Sequence, residues 1–349
     1  MTELVITFPR MGNYHIVLEK SIGILFPHAK VLAPPPITAK TLELGTRHSP
    51  ENVCAPFKYN IGNFIEALDA GANTLLQTGT GCIFGYYGQV QEKILRDMGY
   101  SFNFLCFGRG SGRSAYENYR KIGGRLSLAK VTKAIFLAYT AMHAIDSFEY
   151  AMRENMAFEK IPGSHDALHA RFLLELAHAP LTTMPFLWPK YKQLLKAIPL
   201  QRPATPLRVG LVGELYTLME PTASFDLERE LSQAGCSVSR RMCASFLARP
   251  HTKKAMTAAG GYLTHAPGAN GADSVAQSLQ YANAGYDGVI HLKSFGCTPE
   301  INVTPALDRL SRDTGMPILH LSFDTHTAQA GLQTRVEAFV DMLVAKQQA

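Results

Sequence analysis

The chain has 349 residues, 46% apolar and 18% charged, with 34 Lys and Arg against 28 Asp and Glu for a formal charge of +6. This is the composition of a globular chain with ample core, not of a disordered one, and its length suits two lobes. Six cysteines are too sparse for a disulfide scaffold, no basic run marks a nucleic-acid binder, and no run of ~18 apolar residues marks a membrane span.

Strand and helix alternate through the first part of the chain. Residues 4–8 read as a strand and 13–25 as a helix. A short strand at 29–33 runs into Pro34-Pro35-Pro36, and a short helix at 38–44 is expected to stop at Gly45. After Cys54-Ala55-Pro56, residues Phe57, Ile61, Phe64, Ile65 and Leu68 mark one helical face, ended by Gly71. Residues 73–78 form the next strand, followed by the turn Gly79-Thr80-Gly81-Cys82. A helix with Tyr87, Val90, Ile94, Leu95 and Met98 on one face stops at Gly99, and residues 102–107 are again a strand. The stretch from 126 to 200 is helical in period, rich in Ala, Leu, Met and His, and ends in a linker punctuated by Pro199, Pro203 and Pro206. The α/β pattern then restarts. Strands are expected at 207–212, 287–293 and 317–323, and helices at 225–234 and 301–313. A last helix carries Leu332, Val336, Phe339, Val340 and Leu343.

Such alternation implies parallel sheets with right-handed crossovers. The expected architecture is α/β, with two Rossmann-like lobes at 1–125 and 201–349 and a helical insertion or lid at 126–200. The N-terminus lacks the basic start and apolar run of a signal peptide, so a cytoplasmic setting is expected.

Cys54, Cys82 and Cys297 share one context, a loop just ahead of a helix. Ligands of open α/β sheets collect at the carboxyl ends of strands, where helix N-termini offer unpaired N–H groups and a positive dipole end. A thiolate, or an anionic group held by thiolates, is favoured there. The plainer alternative is three small core residues. Cys106 lies inside an apolar strand, and Cys236 and Cys243 have no metal-ligand spacing, so these three read as inert. Glu214 and His326 follow strand ends in the second lobe, where a site residue belongs. Helix capping explains Glu214 as well, and a backbone-bonded loop explains His326. Arg109 and Arg113, in Gly108-Arg109-Gly110-Ser111-Gly112-Arg113, read as a phosphate contact or as a turn. No HExxH, GxSxG or Walker A motif is present.

Cys54-Ala55-Pro56-Phe57-Lys58 resembles a segment of the 2-hydroxyacyl-CoA dehydratase D-component family, which includes activase-related and double-cubane cluster relatives. Phe8-Pro9-Arg10-Met11-Gly12-Asn13, Lys40-Thr41-Leu42-Glu43-Leu44-Gly45 and Gly62-Asn63-Phe64-Ile65-Glu66-Ala67 agree with it. So do Phe84-Gly85-Tyr86-Tyr87, Phe295-Gly296-Cys297-Thr298-Pro299-Glu300 and Leu321-Ser322-Phe323-Asp324-Thr325-His326-Thr327, the last run continuing to Gly331. The resemblance implies two Rossmann-like lobes holding a 4Fe-4S cluster on Cys54, Cys82 and Cys297. It also implies electrons from a separate ATP-hydrolysing activator, delivered to a small substrate such as an acyl-CoA, in a low-oxygen cytoplasm. Relatives carry a longer Gly-Cys-Gly-Pro-Cys turn where this chain has Gly79-Thr80-Gly81-Cys82, which argues against a double-cubane cluster. Two other readings stand beside it: a non-catalytic assembly or regulatory relative, and a metal-free nucleotide- or CoA-binding α/β protein. A homo- or heterodimer is compatible with each.

Overall fold

The computed structural model describes residues 3–78, 86–107, 120, 127–249 and 252–348. The chain divides into two units, Met1–Met142 and His143–Ala349.

In the first unit, β1 (Val5–Thr7), β2 (Lys30–Val31), β3 (Thr74–Thr78) and β4 (Asn103–Phe107) form one sheet in the order β2-β1-β3-β4. Every pairing is parallel. Side chains alternate across a strand, so neighbours on β3 serve different cores. Leu75 packs with Phe57, Ile61, Phe64 and Leu95, whereas Leu76 joins Ile6, Phe8, Ile22, Phe26 and Leu105. The crossovers are α1 (His15–Leu25), α2 (Ala39–His48), α3 (Ala55–Asp69) and α4 (Tyr87–Asp97).

Gly45 does not end its helix as the sequence suggests. It lies inside α2 and is buried. A Cβ built on Gly45 would stand 1.8 Å from the Lys58 carbonyl oxygen, and one on Gly62 1.8 Å from that of Thr41. The two glycines let α2 and α3 touch backbone to backbone, so packing overrides the usual reading of glycine as a stop. Thr38 starts α2 with a capping box shared with Thr41. The Thr41 hydroxyl also donates to Glu66 Oε2 at 2.7 Å.

Helix α5 (Leu128–Asn155) begins in the first unit and ends in the second, followed by α6 (Ser164–His178) and α7 (Met184–Lys196). Phe148 stacks on Phe172 with centroids 4.6 Å apart, and Tyr191 meets Phe172 edge-on. The second sheet contains β5 (Arg208–Gly213), β6 (Ser237–Arg240), β7 (Gly288–Ser294) and β8 (Ile318–Phe323), in the order β6-β5-β7-β8. It is wound as the first sheet is, and again all pairings are parallel. Around it lie α8 (Leu215–Met219), α9 (Leu227–Gln233), α10 (Ala244–Leu247), α11 (Thr252–Ala258), α12 (Gly271–Asn283), α13 (Thr298–Thr314) and α14 (Gln329–Gln348).

The likeness extends to a clasp at the start of each central strand. The Val5 amide donates to Asn73 Oδ1 at 2.9 Å, and the Arg208 amide to Asp287 Oδ2 at 2.7 Å. A buried charge cluster ties α5 to the second sheet. Arg153 reaches Glu149 (3.4 Å) and Glu228 (3.5 Å), and Arg240 reaches Glu228 (2.5 Å) and Glu149 (3.7 Å). Burial pushes the Glu149 carboxyl up, but His169, Arg153 and Arg240 outweigh it and bring it to about 2.

Candidate functional site

In each sheet the strand order reverses between the first and third strands, β1 and β3 or β5 and β7. That reversal opens a crevice at the carboxyl edge. In the first unit this edge is tied together by Asn63, which is 1% exposed. Its Oδ1 accepts from the Arg10 amide and its Nδ2 donates to the Pro35 carbonyl, both at 2.9 Å. Asn63 thereby fixes the loops that follow β1 and β2 against α3. Cys54 is the N-cap residue of α3 and makes no side-chain cap bond. Its Sγ is in hydrogen-bonding contact with the Tyr87 hydroxyl, and the Tyr87 ring meets Phe57 edge-on at 5.0 Å.

Cys297 occupies the matching position in the second unit. It is the N-cap residue of α13, also without a side-chain cap bond, and half-buried. Both cysteines stand two residues before a proline in the first helical turn, Pro56 and Pro299. There a missing N–H costs no helical bond, and the remaining first-turn N–H groups make a setting suited to an anion.

Glu214 is the N-cap residue of α8. Its Oε1 accepts from the Tyr216 amide at 2.9 Å, and its Oε2 from the amide and hydroxyl of Thr217 at 2.8 Å each. Burial raises the Glu214 carboxyl above its ordinary range against these bonds, and the charge of Glu300 adds to the rise. Gly213 makes this turn possible. Its φ is +138°, and a Cβ there would lie 1.8 Å from the Leu292 carbonyl oxygen. Asn270 Nδ2 donates to the Gly213 carbonyl and, at 3.2 Å, to Glu300 Oε1.

Glu300 is fully buried in the first turn of α13. Its Oε2 accepts from the Ser274 hydroxyl at 2.9 Å and meets His291 Nε2 at 2.8 Å. His291 Nδ1 lies 2.8 Å from His320 Nδ1, whose ring reaches Asp308 Oδ1 at 3.1 Å. Sequence reasoning missed this network. Glu300 belonged to a quoted motif, but His291 and His320 meet only because β7 and β8 pair with those residues in register.

His326 is exposed in the turn after β8. Its amide donates to Asp324 Oδ1 at 2.8 Å, and Thr327 closes the turn onto the same atom at 2.9 Å. Burial raises the Asp324 carboxyl, but the bonds from His326 and Thr327 prevail and hold it below its ordinary range. Cys236 is fully buried, and burial, with Asp287 nearby, pushes its thiol up to about 11. Cys243 caps α10, its thiol raised by burial and by Asp146. Cys82, Arg109 and Arg113 lie outside the described residues, as does the side chain of Cys106. Among the described residues no three His, Cys, Asp or Glu side chains gather to hold a metal ion, and no helix is long and apolar enough to cross a membrane.

Residues 228–343 match the family model of the 2-hydroxyglutaryl-CoA dehydratase D-component. The match runs from α9 through α14 and contains Cys297, Glu300, both network histidines and His326. It supports the family that the sequence motifs resemble. No curated protein matches the chain.

Proposed function

We propose that the chain is an iron–sulfur subunit of the 2-hydroxyacyl-CoA dehydratase type, with Cys54, Cys82 and Cys297 as the thiolates of a 4Fe-4S cluster. The observation that carries this reading is the family match over the segment that holds Cys297 as a helix N-cap at a sheet's carboxyl edge. Cys54 supports it from the first unit with the same Cys-x-Pro helix start. Thiols at the start of a helix suit thiolates that hold an anionic group.

When bound, such a cluster supplies low-potential electrons and an open iron for a substrate oxygen. The electrons come from a separate ATP-hydrolysing activator, and the substrate is small, an acyl-CoA being the first choice. Asn63 and Glu300 fix the two carboxyl edges. Glu214 positions the turn after β5, and in this reading His326 would donate to a substrate carbonyl. The setting is a low-oxygen cytoplasm.

Anaerobic purification followed by iron, sulfide and visible-absorption measurements tests the reading. It expects iron and sulfide with a charge-transfer band, lost together when Cys54, Cys82 or Cys297 is changed to Ala. A reconstituted chain that takes up no iron refutes it. The short Gly79–Cys82 turn favours a second reading, a non-catalytic relative that docks on the activator. This one predicts activator binding without iron.

A further inference from the structure

Two adjoining cavities lie within the second unit, and they share no lining residue with the crevice between β5 and β7 described above. The first, of about 570 Å³, opens beyond the carboxyl end of the edge strand β6, among α5, α10, α11 and α12. The second, of about 730 Å³, lies between α5 and α7. Asp146, Tyr150 and Arg249 line both, so the two form one cleft. Each part is of a size to take a small organic molecule.

Charge decides what the cleft would hold. On the wall of the first cavity Arg153 and Arg240 are engaged by Glu149 and Glu228. Arg241, Arg249 and Lys254 have no acidic partner among the described residues, although Arg241 donates to Gln280 Oε1 at 2.9 Å. The acids that face them are Asp146, which accepts from the Ser245 amide at 2.8 Å, and the buried Asp273. The second cavity adds Lys192 and Lys196 against Glu154. The cleft therefore carries an excess of positive charge. Two donors on the wall of the first cavity also lack an acceptor, Gln277 Nε2 and Arg153 Nε, on side chains each 4% exposed. An unpaired buried donor costs free energy. The last torsion of a glutamine is soft, so the Gln277 amide can turn to an acceptor placed in the cavity.

Two guanidinium forks beside an ammonium suit a phosphate. In a parallel sheet of this kind a phosphate usually sits on the helix N-terminus after the first strand. Here that place is filled by the chain itself, because the Glu214 carboxylate takes the Tyr216 and Thr217 amides. The cations beyond β6 offer an anion another seat. The cleft also has an aromatic wall. Tyr150 is 40% exposed where the cavities join, and Trp188 lines the second cavity with the Lys192 ammonium 6.0 Å from its ring centroid. Aromatic faces beside cations take flat rings by stacking.

We propose that this cleft binds a small aromatic phosphate of the nucleotide class, with the phosphate on Arg241, Arg249 and Lys254 and the ring against Tyr150 and Trp188. The proposal does not depend on a cluster being bound. Trp188 is the single tryptophan of the chain, so its fluorescence reports on the cleft. The test titrates the whole chain with ADP, with adenosine and inorganic phosphate as separate arms. ADP should change the Trp188 emission to saturation, inorganic phosphate should displace it, and adenosine should bind at least tenfold more weakly. Removing one charge-assisted partner of a phosphate weakens binding by about tenfold. Arg241→Gln and Arg249→Gln should each do so, and both side chains are exposed, so the melting curve should not move. Arg335→Gln, on α14, removes the same charge outside the cleft and should leave ADP binding unchanged. An emission that ADP does not change overturns the proposal. So does adenosine binding as tight as that of ADP, ADP that inorganic phosphate fails to displace, or an affinity that the two cleft variants leave where Arg335→Gln leaves it.

Discussion

Changing Gly62 to Ala tests whether the contact of α2 and α3 holds the first unit together. The added methyl carbon would stand 1.8 Å from the Thr41 carbonyl oxygen. Carbon–oxygen contacts settle near ~3.3 Å, so the helices must part by about 1.5 Å. The Thr41–Glu66 hydrogen bond, 2.7 Å long, runs between the same helices and does not survive that retreat. Its loss costs about 1.5–3 kcal/mol, and the strained packing about 1–3 kcal/mol. Alanine returns about 1 kcal/mol as a better helix former. The net destabilisation is therefore about 1.5–5 kcal/mol, read from urea unfolding with the two units fitted as separate transitions. Gly45→Ala demands the same retreat, because its Cβ would meet the Lys58 carbonyl. The double variant should thus cost clearly less than the sum of the singles. A neutral or stabilised Gly62→Ala chain, or strict additivity, would refute this account of the helix pair. Cys54 stands at the start of α3, so iron uptake should fall in the same variants.

Cys297→Ala should lose at least as much iron as Cys54→Ala on anaerobic reconstitution. Cys236→Ala should keep its iron and cost about 1–2 kcal/mol as a core truncation. Glu149, at about 2 when folded against an ordinary 4.5, contributes about 3 kcal/mol above the ordinary value. That stability is lost as pH falls from ~5 toward 2, so melting temperature should drop over this range. Arg153, Arg240 and His169 would face no carboxylate there in Glu149→Gln, which should be weaker at neutral pH and flatter with pH. Gly213→Ala combines a backbone conformation unfavourable to alanine with a clash against Leu292, and should cost about 2–4 kcal/mol by thermal denaturation.

The regular crossovers of both sheets were legible because strongly apolar strands and helices carry their own period. The helix of residues 55–69 showed its buried face in Phe57, Ile61, Phe64 and Leu68. Strand β6 and helix α12 were not. Ser237-Val238-Ser239-Arg240 has one aliphatic residue, and its burial rests on polar partners such as Glu228. Helix α12 buries Gly271, Ala272, Asp273, Ser274, Ala276, Gln277 and Ser278 beside the larger Val275 and Tyr281, so small and polar residues dilute its hydrophobic period. Cys54 and Cys297 stood in the sequence in loops just ahead of expected helices, and each is the residue that starts one. Glu300 gave no comparable signal, since its partners come from Asn270, Ser274 and His291 on other elements. A line of sequence carries helix faces well and strand register poorly, and the histidine pair depends on register.

The two clasps carry a consequence for how the chain is made. Val5 and Asn73 are 68 positions apart, and Arg208 and Asp287 are 79. Loop-closure entropy grows only with the logarithm of length, so the two closures differ by about 0.1 kcal/mol. Their timing on the ribosome differs far more. All strands of the first sheet have been synthesised once residue 107 is added, while the second sheet waits for residue 323. At roughly 5–20 residues per second, the first sheet has about 10–40 seconds in which to close before the last strand of the second is made. Synthesis thus sets an order that equilibrium energetics does not, and a pause late in translation acts on the second unit alone.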